Sequence, residues 1–303
     1  MATVNSISPA EYLAPEESEA QRKAEPFFLA RPLYRLWRRT LDELELVRLE
    51  LPVRGLAAVH EGLRACQLSD LHVDRDEDLE RLERAIELVN EERPALIFLT
   101  GDYFSDPPAM RRYLTSFSRA LGRLNPTIGA FAIPGNHDNW CSFAPIAEHL
   151  AKAGVRPLRN QHHRLNCGGH PLVVVGVDDL MTRRADPNGS FRGVRPHECT
   201  VVLAHNPDTA LYLRHLRPGI VLSGHTHGGA IRFPLIGSPL RSILQLGSKY
   251  YAGLNRYEDF YVYTNRGLGT FCVRLRINCR PEVSSFVLKP FEPATRATAT
   301  GPA

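Results

Sequence analysis

The sequence predicts an α/β protein in which two β-sheets pack together with helices outside. Three observations carry this. Strand-like and helix-like stretches alternate through the first half of the chain, the second half is mostly strand-like, and five short segments end apolar runs in metal-binding side chains. Alternation calls for helices covering a sheet, and a following run of strands calls for a second sheet to bury against the first.

Residues 1–25 are rich in Ala, Glu, Ser and Pro and lack an apolar run, so they read as a disordered acidic tail and not as a secretory signal. Residues 26–45 carry Leu29, Leu33, Trp37 and Leu41 at i+4 spacing, with Arg31, Arg35, Arg38 and Arg39 between them. That spacing predicts a basic amphipathic helix with Pro32 in its first turn. Two readings stay open: a helix packed on the domain with its arginines in water, or an interfacial helix with its arginines on anionic headgroups.

Alternation predicts strands over 47–52 and 63–68. Leu79, Leu82, Ile86 and Val89 predict a helix over 76–92, stopped by Pro94. The continuous apolar run 95–100 predicts a strand buried on both faces. A helix over 108–124, a strand over 128–133 and a helix over 143–153 follow, and then strands at 171–177, 200–204 and 219–223. The domain so built covers residues 46–290, and residues 291–303 read as a second disordered tail.

Composition narrows the function. With 303 residues and 43% hydrophobic content, the chain can bury a substantial core. A net charge of +4 suits an anionic substrate or membrane surface and is too weak to call for nucleic acid, so no specific nucleic-acid partner is expected. Six cysteines without a C-x-x-C pair read as reduced, small hydrophobes. Cys272 and Cys279 could face each other across a hairpin, but reduced thiols are the expectation. No run of 18 uncharged apolar residues predicts a membrane-spanning helix. A cytoplasmic protein is expected, with peripheral attachment to the inner membrane left open.

The chemistry lies in the strand ends. They carry Asp70 and His72, Asp102, Asn136-His137-Asp138, His205, and His225 and His227. Ligands at strand carboxyl ends converge on one sheet edge. Asp70 and His72, at i and i+2, would share a face of a regular strand and reach one metal. Gly101 lets the backbone turn behind Asp102, whose two oxygens can bridge two cations. Imidazoles suit Mn, Fe or Zn better than Mg or Ca. Taken singly, each segment has a bland reading: Asn136-His137-Asp138 could cap a helix, and a lone histidine such as His205 is usually structural. Together they furnish ligands for two divalent ions, a centre that most often hydrolyses phosphate esters and anhydrides.

In this order the segments resemble the calcineurin-like metallophosphoesterase family, over residues 51–288. The resemblance implies a four-layer α-β-β-α sandwich with a dimetal site at strand ends. It implies Asp70, His72 and His227 on the first metal, Asn136, His205 and His225 on the second, and Asp102 bridging. It implies in-line attack by a metal-bridged hydroxide, with His137 stabilising the transition state or protonating the leaving oxygen and Asp138 accepting the other ring proton. One position departs: Ser105 stands where many relatives carry Asp, with Asp106 one residue later. That position is not a ligand, so only a supporting role is in doubt.

Arg232 and Arg266 lie in glycine-containing loops after the last ligands. They are candidates for binding a diester or pyrophosphate oxygen, against the alternative that they are surface turn residues. The same segments are similar to a bacterial subgroup of membrane-associated metallophosphoesterases that includes phosphodiesterases and UDP-2,3-diacylglucosamine pyrophosphatases of lipid A synthesis. That similarity implies a lipid-linked pyrophosphate substrate, with residues 26–45 as peripheral anchor in place of the transmembrane helix such members often carry. A soluble (cyclic) nucleotide phosphodiesterase and a non-catalytic metal-binding scaffold are the alternatives; the intact ligand set argues against the scaffold.

Overall fold

A computed structural model of the chain describes residues 43–167, 169–232, 238, 244–270 and 275–291. The expectations for residues 1–25, for 26–42 and for 292–303 lie outside the described residues. Glu45, expected at the end of a helix, instead opens strand β1 (Glu45–Arg54), and Phe291, expected in a tail, closes strand β12 (Glu282–Phe291). The two pair in parallel.

The first sheet continues from β12 through β2 (Arg64–Leu68), β3 (Leu96–Leu99), β4 (Gly129–Ala132) and β5 (Val155–Pro157). Strands β2 to β5 are parallel, so each connection must cross over the sheet. Helices α1 (Asp76–Glu91), α2 (Pro107–Leu121), α3 (Asn136–Cys141) and α4 (Phe143–Lys152) make those crossovers. Asp106 is the N-cap of α2, accepting from the Ala109 N–H at 2.7 Å, with Pro107 in the first turn.

The second sheet runs β10 (Gly253–Tyr257), β11 (Phe260–Thr264), β9 (Ile220–Ser223), β8 (Cys199–Ala204), β7 (His170–Val177) and β6 (Gln161–Cys167). Its four central strands are parallel and its two edges antiparallel.

Strand β3 explains the layering. Ile97 and Leu99 face Ile86, Val89, Phe117 and Ile146 of the helices, whereas Leu96 and Phe98 face Val174, Val201, Leu203 and Leu222 of the second sheet. Both faces are buried, so the run carries no polar alternation. The far side of the second sheet, Val173, Val175, Val202 and Val262, is covered by Phe191, Ala210, Leu213, Tyr250 and Tyr251. These come from the end of α5 (Pro187–Ser190), from α6 (Ala210–Leu213) and from a 3-10 turn. The molecule is thus helix, sheet, sheet, helix, and the fourth layer is built of single turns. Among the described residues no helix is long and apolar enough to cross a membrane.

Candidate metal centre

The predicted ligands follow the ends of β2, β3, β8 and β9 and the start of α3, on one edge of the packed sheets. Asp70 and His72 do not meet by strand alternation, because β2 ends at Leu68. Their backbones are left-handed, with φ of 47° and 42°, as are Asp102 at 57°, His225 at 71° and His227 at 49°. Such a conformation costs roughly 1–3 kcal/mol per non-glycine residue and persists only where the surroundings over-determine it. Here the Asp70 N–H donates to Gly101 O at 2.9 Å, the His72 N–H to Asp102 O at 3.1 Å, and the Gly269 N–H to Asp70 O at 2.7 Å. The His225 N–H donates to the Asp70 carboxylate at 3.0 Å. Two glycines make room: a Cβ on Gly135 would overlap the Asp102 carboxylate, and one on Gly224 would overlap Ser69 Oγ and the Asp70 carboxylate.

The side chains gather into three groups, each with ligand atoms within 4.8 Å of one another: Asp70 with His72 and His227, Asp102 with His205 and His225, and His72 with Asp102 and His137. Asn136 joins the second group, its Oδ1 3.0 Å from His225 Nδ1. Asp102 stands between the groups, its Oδ2 3.0 Å from His205 Nε2 and 3.9 Å from His72 Nε2. His227 Nε2 lies 3.4 Å from Asp70 Oδ1.

The electrostatics fit a divalent cation. Burial pushes His72 and His225 down to about 3, reinforced by neighbouring imidazoles, and drives His227 down as well. These rings are therefore neutral and carry lone pairs. Burial raises Asp70, and the adjacent Asp102 charge adds to this. Burial would raise Asp102 too, but His205 and His137 outweigh it and hold the carboxyl well below its usual range. Burial would lower His205 as well, but the Asp102 charge, its Oδ2 3.0 Å from the buried His205 Nε2, raises that imidazole well above the usual histidine value. A cation shared by that nitrogen and that oxygen satisfies both.

Hydrogen bonds behind the rings set their orientation. His205 Nδ1 donates to Thr100 O at 2.7 Å, and His72 Nδ1 meets Ser105 Oγ at 2.7 Å. His137 Nδ1 donates to Ser105 O at 2.9 Å. The orienting role expected of Asp138 therefore falls to Ser105. The Asp138 carboxylate instead accepts backbone N–H groups of Asp102, Tyr103 and Gly135 at 2.7, 2.8 and 2.8 Å, fastening the Asp102 turn to the start of α3.

The expected substrate arginines are placed differently. Arg266 Nε pairs with Glu282, and its Nη1 lies 3.1 Å from Glu45 Oε2, so its guanidinium is committed to structural carboxylates. The main chain of Arg232 is tied to Ile277 and Asn278, and among the described residues its guanidinium bonds to none of the metal-site side chains.

The structure adds Arg276, which is 1% exposed and which no sequence signal marked. Its Nη2 donates to Arg266 O at 2.9 Å and Gly267 O at 3.1 Å and lies 3.4 Å from His227 Nδ1, tying the 266–269 loop to the last ligand. Cys279 is a buried free thiol whose Sγ donates to His227 O at 3.2 Å; Cys272 lies outside the described residues.

Left-handed carboxylate and imidazole residues converging at the ends of parallel strands define a metal-dependent phosphoester hydrolase. The family model for calcineurin-like phosphoesterases matches residues 63–229, a span that holds every ligand named above, and the chain belongs to that family. It is 36% identical over 224 residues to phosphodiesterase YaeI of Escherichia coli, covering 73% of this chain and 80% of the relative. It is 32% identical to the metallophosphoesterase YkuE of Bacillus subtilis, covering 76% and 80%. A more distant relative at 26% identity, covering 82% and 91%, is the UDP-2,3-diacylglucosamine pyrophosphatase LpxG of Chlamydia muridarum.

Proposed function

We propose that the protein hydrolyses a phosphodiester or pyrophosphate bond at a pair of divalent cations of the Mn, Fe or Zn type. Asp70, His72 and His227 would hold one, Asn136, His205 and His225 the other, with Asp102 between them. The observation that supports this most is the position of Asp102, which shares one group with His205 and His225 and another with His72 and His137. Bound there, the cations supply Lewis acidity and an activated water.

The protein's own groups do the rest. The buried carboxylates offset the cations' charge, and the burial of Asp70 and Asp102 raises the strength of charge interactions at the site. His137 donates its Nδ1 proton to the Ser105 carbonyl, and Nε2 is the nitrogen that would hand a proton to the leaving oxygen. Its ring is packed edge-on against Trp140 at 4.7 Å, and Trp140 is half-exposed. An apolar wall beside the proton donor suits a substrate with an apolar or aromatic leaving side.

The specific substrate proposed is a lipid-linked pyrophosphate such as UDP-diacylglucosamine, reached through peripheral contact of the basic stretch N-terminal to β1 with an anionic membrane. Similarity to LpxG and the exposed Trp140 support it. The test is a panel on Mn²⁺-reconstituted protein: UDP-2,3-diacylglucosamine in vesicles, cyclic nucleotides, and bis(p-nitrophenyl) phosphate. Release of UMP from the first is expected. Turnover of cyclic nucleotides alone, without vesicles, would redirect the reading to a soluble nucleotide phosphodiesterase. Inertness toward all three with both metals bound would make the chain a scaffold.

A further inference from the structure

The geometry assigns to Ser105, backed by Asp74, a positioning role: together they fix the His72 tautomer for the first metal while Ser105 also orients the leaving-group histidine. This rests on the metal assignment proposed above.

Asp74 Oδ1 accepts the Ser105 N–H at 2.9 Å, and Asp74 Oδ2 accepts the Ser105 hydroxyl at 2.5 Å. The hydroxyl proton is therefore spent on the carboxylate. At the 2.7 Å contact with His72 Nδ1, Ser105 Oγ has only a lone pair to offer, so Nδ1 must carry the proton. The Nε2 lone pair of His72 is then the one presented to the metal group shared with Asp70 and His227. A carboxylate linked through a hydroxyl to an imidazole also makes that imidazole a better donor to a cation.

The same residue acts twice. The Ser105 carbonyl can only accept, so the His137 Nδ1 bond at 2.9 Å places a proton there too. One residue thus sets the Nδ1–H form of a metal ligand and of the leaving-group histidine, whose rings meet edge-on at 5.0 Å. The hydroxyl serves the first and the backbone the second, so a side-chain substitution separates the two effects.

Asp74→Asn is the decisive change because it keeps the shape. Either amide orientation sets an NH₂ donor against one of the two Ser105 donors. The arrangement that relieves the clash turns the serine hydroxyl toward His72 Nδ1, which then accepts and must place its proton on Nε2. Ser105→Ala removes the hydroxyl only, and Ser105→Thr restores it.

The experiment is Mn²⁺ titration of metal-free protein by calorimetry, with histidine ¹⁵N tautomer spectra of the metal-free protein and melting temperatures alongside. The wild type is expected to bind two ions and to show His72 protonated at Nδ1. Asp74→Asn and Ser105→Ala should weaken one of the two sites by about 10–100-fold, the range for an outer-sphere partner of a histidine ligand. The other site should be unchanged, Ser105→Thr should restore binding, and Asp74→Asn should move the His72 proton to Nε2. Two Mn²⁺ sites of wild-type affinity in both Asp74→Asn and Ser105→Ala would overturn the inference, as would an unmoved His72 tautomer in Asp74→Asn. A wild type that does not bind two ions would instead overturn the metal assignment on which it rests.

Discussion

Arg266→Ala separates two roles for an arginine that the sequence offered as a substrate ligand. In the structure its guanidinium sits against Glu282, whose side chain is 3% exposed, and Glu45, whose side chain is 42% exposed. The Glu45 pair is solvent-screened and contributes little. The Glu282 pair is buried, and removing one partner of a buried pair costs about 3–5 kcal/mol because the other charge is left uncompensated. Glu282 keeps hydrogen bonds from Tyr263 Oη and Ser284 Oγ at 2.5 Å each and from Asn265 Nδ2 at 3.3 Å. The cost therefore falls at the low end, about 3 kcal/mol, or about 6–12 °C in Tm for a domain of this size. Differential scanning fluorimetry reads the Tm, and steady-state hydrolysis of bis(p-nitrophenyl) phosphate below the transition reads KM. The expected result is a large fall in Tm with KM within twofold of wild type. An unchanged Tm with a tenfold higher KM would refute the structural assignment and return Arg266 to the substrate.

His137→Ala should lower kcat by about 10²–10⁴-fold, the usual contribution of a positioned general acid, while Mn²⁺ stoichiometry by metal analysis stays at the wild-type value. Loss of metal in that variant would make His137 a ligand, as its group with His72 and Asp102 permits. His60 is buried with neither ring nitrogen hydrogen-bonded among the described residues. Burial, with a smaller effect of His170, lowers its pKa below the ordinary histidine value. Native His60 is therefore neutral where unfolded His60 takes up a proton. This contribution is constant above about pH 6.5 and declines as pH falls, by at most about 1.4 kcal/mol per pH unit. Urea midpoints at pH 5.5 and 7.5 should differ less in His60→Leu than in the wild type; equal differences would show that His60 does not titrate on unfolding.

Central strands were legible because double burial leaves an uninterrupted apolar run, as in Leu96-Ile97-Phe98-Leu99. Strand β12 was not. It begins Glu282-Val283-Ser284-Ser285, and its polar groups are buried only because Tyr263, Asn265, Arg266 and Glu92 meet them. A polar strand satisfied by remote partners looks like a loop in one dimension. The edge strand β6, Gln161–Cys167, is hidden for a related reason: an outer strand need not be apolar on both faces.

Residue types and their order along the chain settle which side chains are available for metal chemistry and in what order the strands deliver them. Carboxylate, amide and imidazole ligands are properties of residue type, and apolar runs mark the strands that end in them. Tertiary structure decided how they converge. Asp70 holds the His225 backbone from 155 positions away, and that bond joins two left-handed turns that lie far apart in the chain. It also decided what each polar group does with its protons: Ser105 orients His137 where Asp138 was expected, and Glu282 claims Arg266. Hydrogen-bond partners distant in sequence leave no local pattern, so those roles belong to the fold.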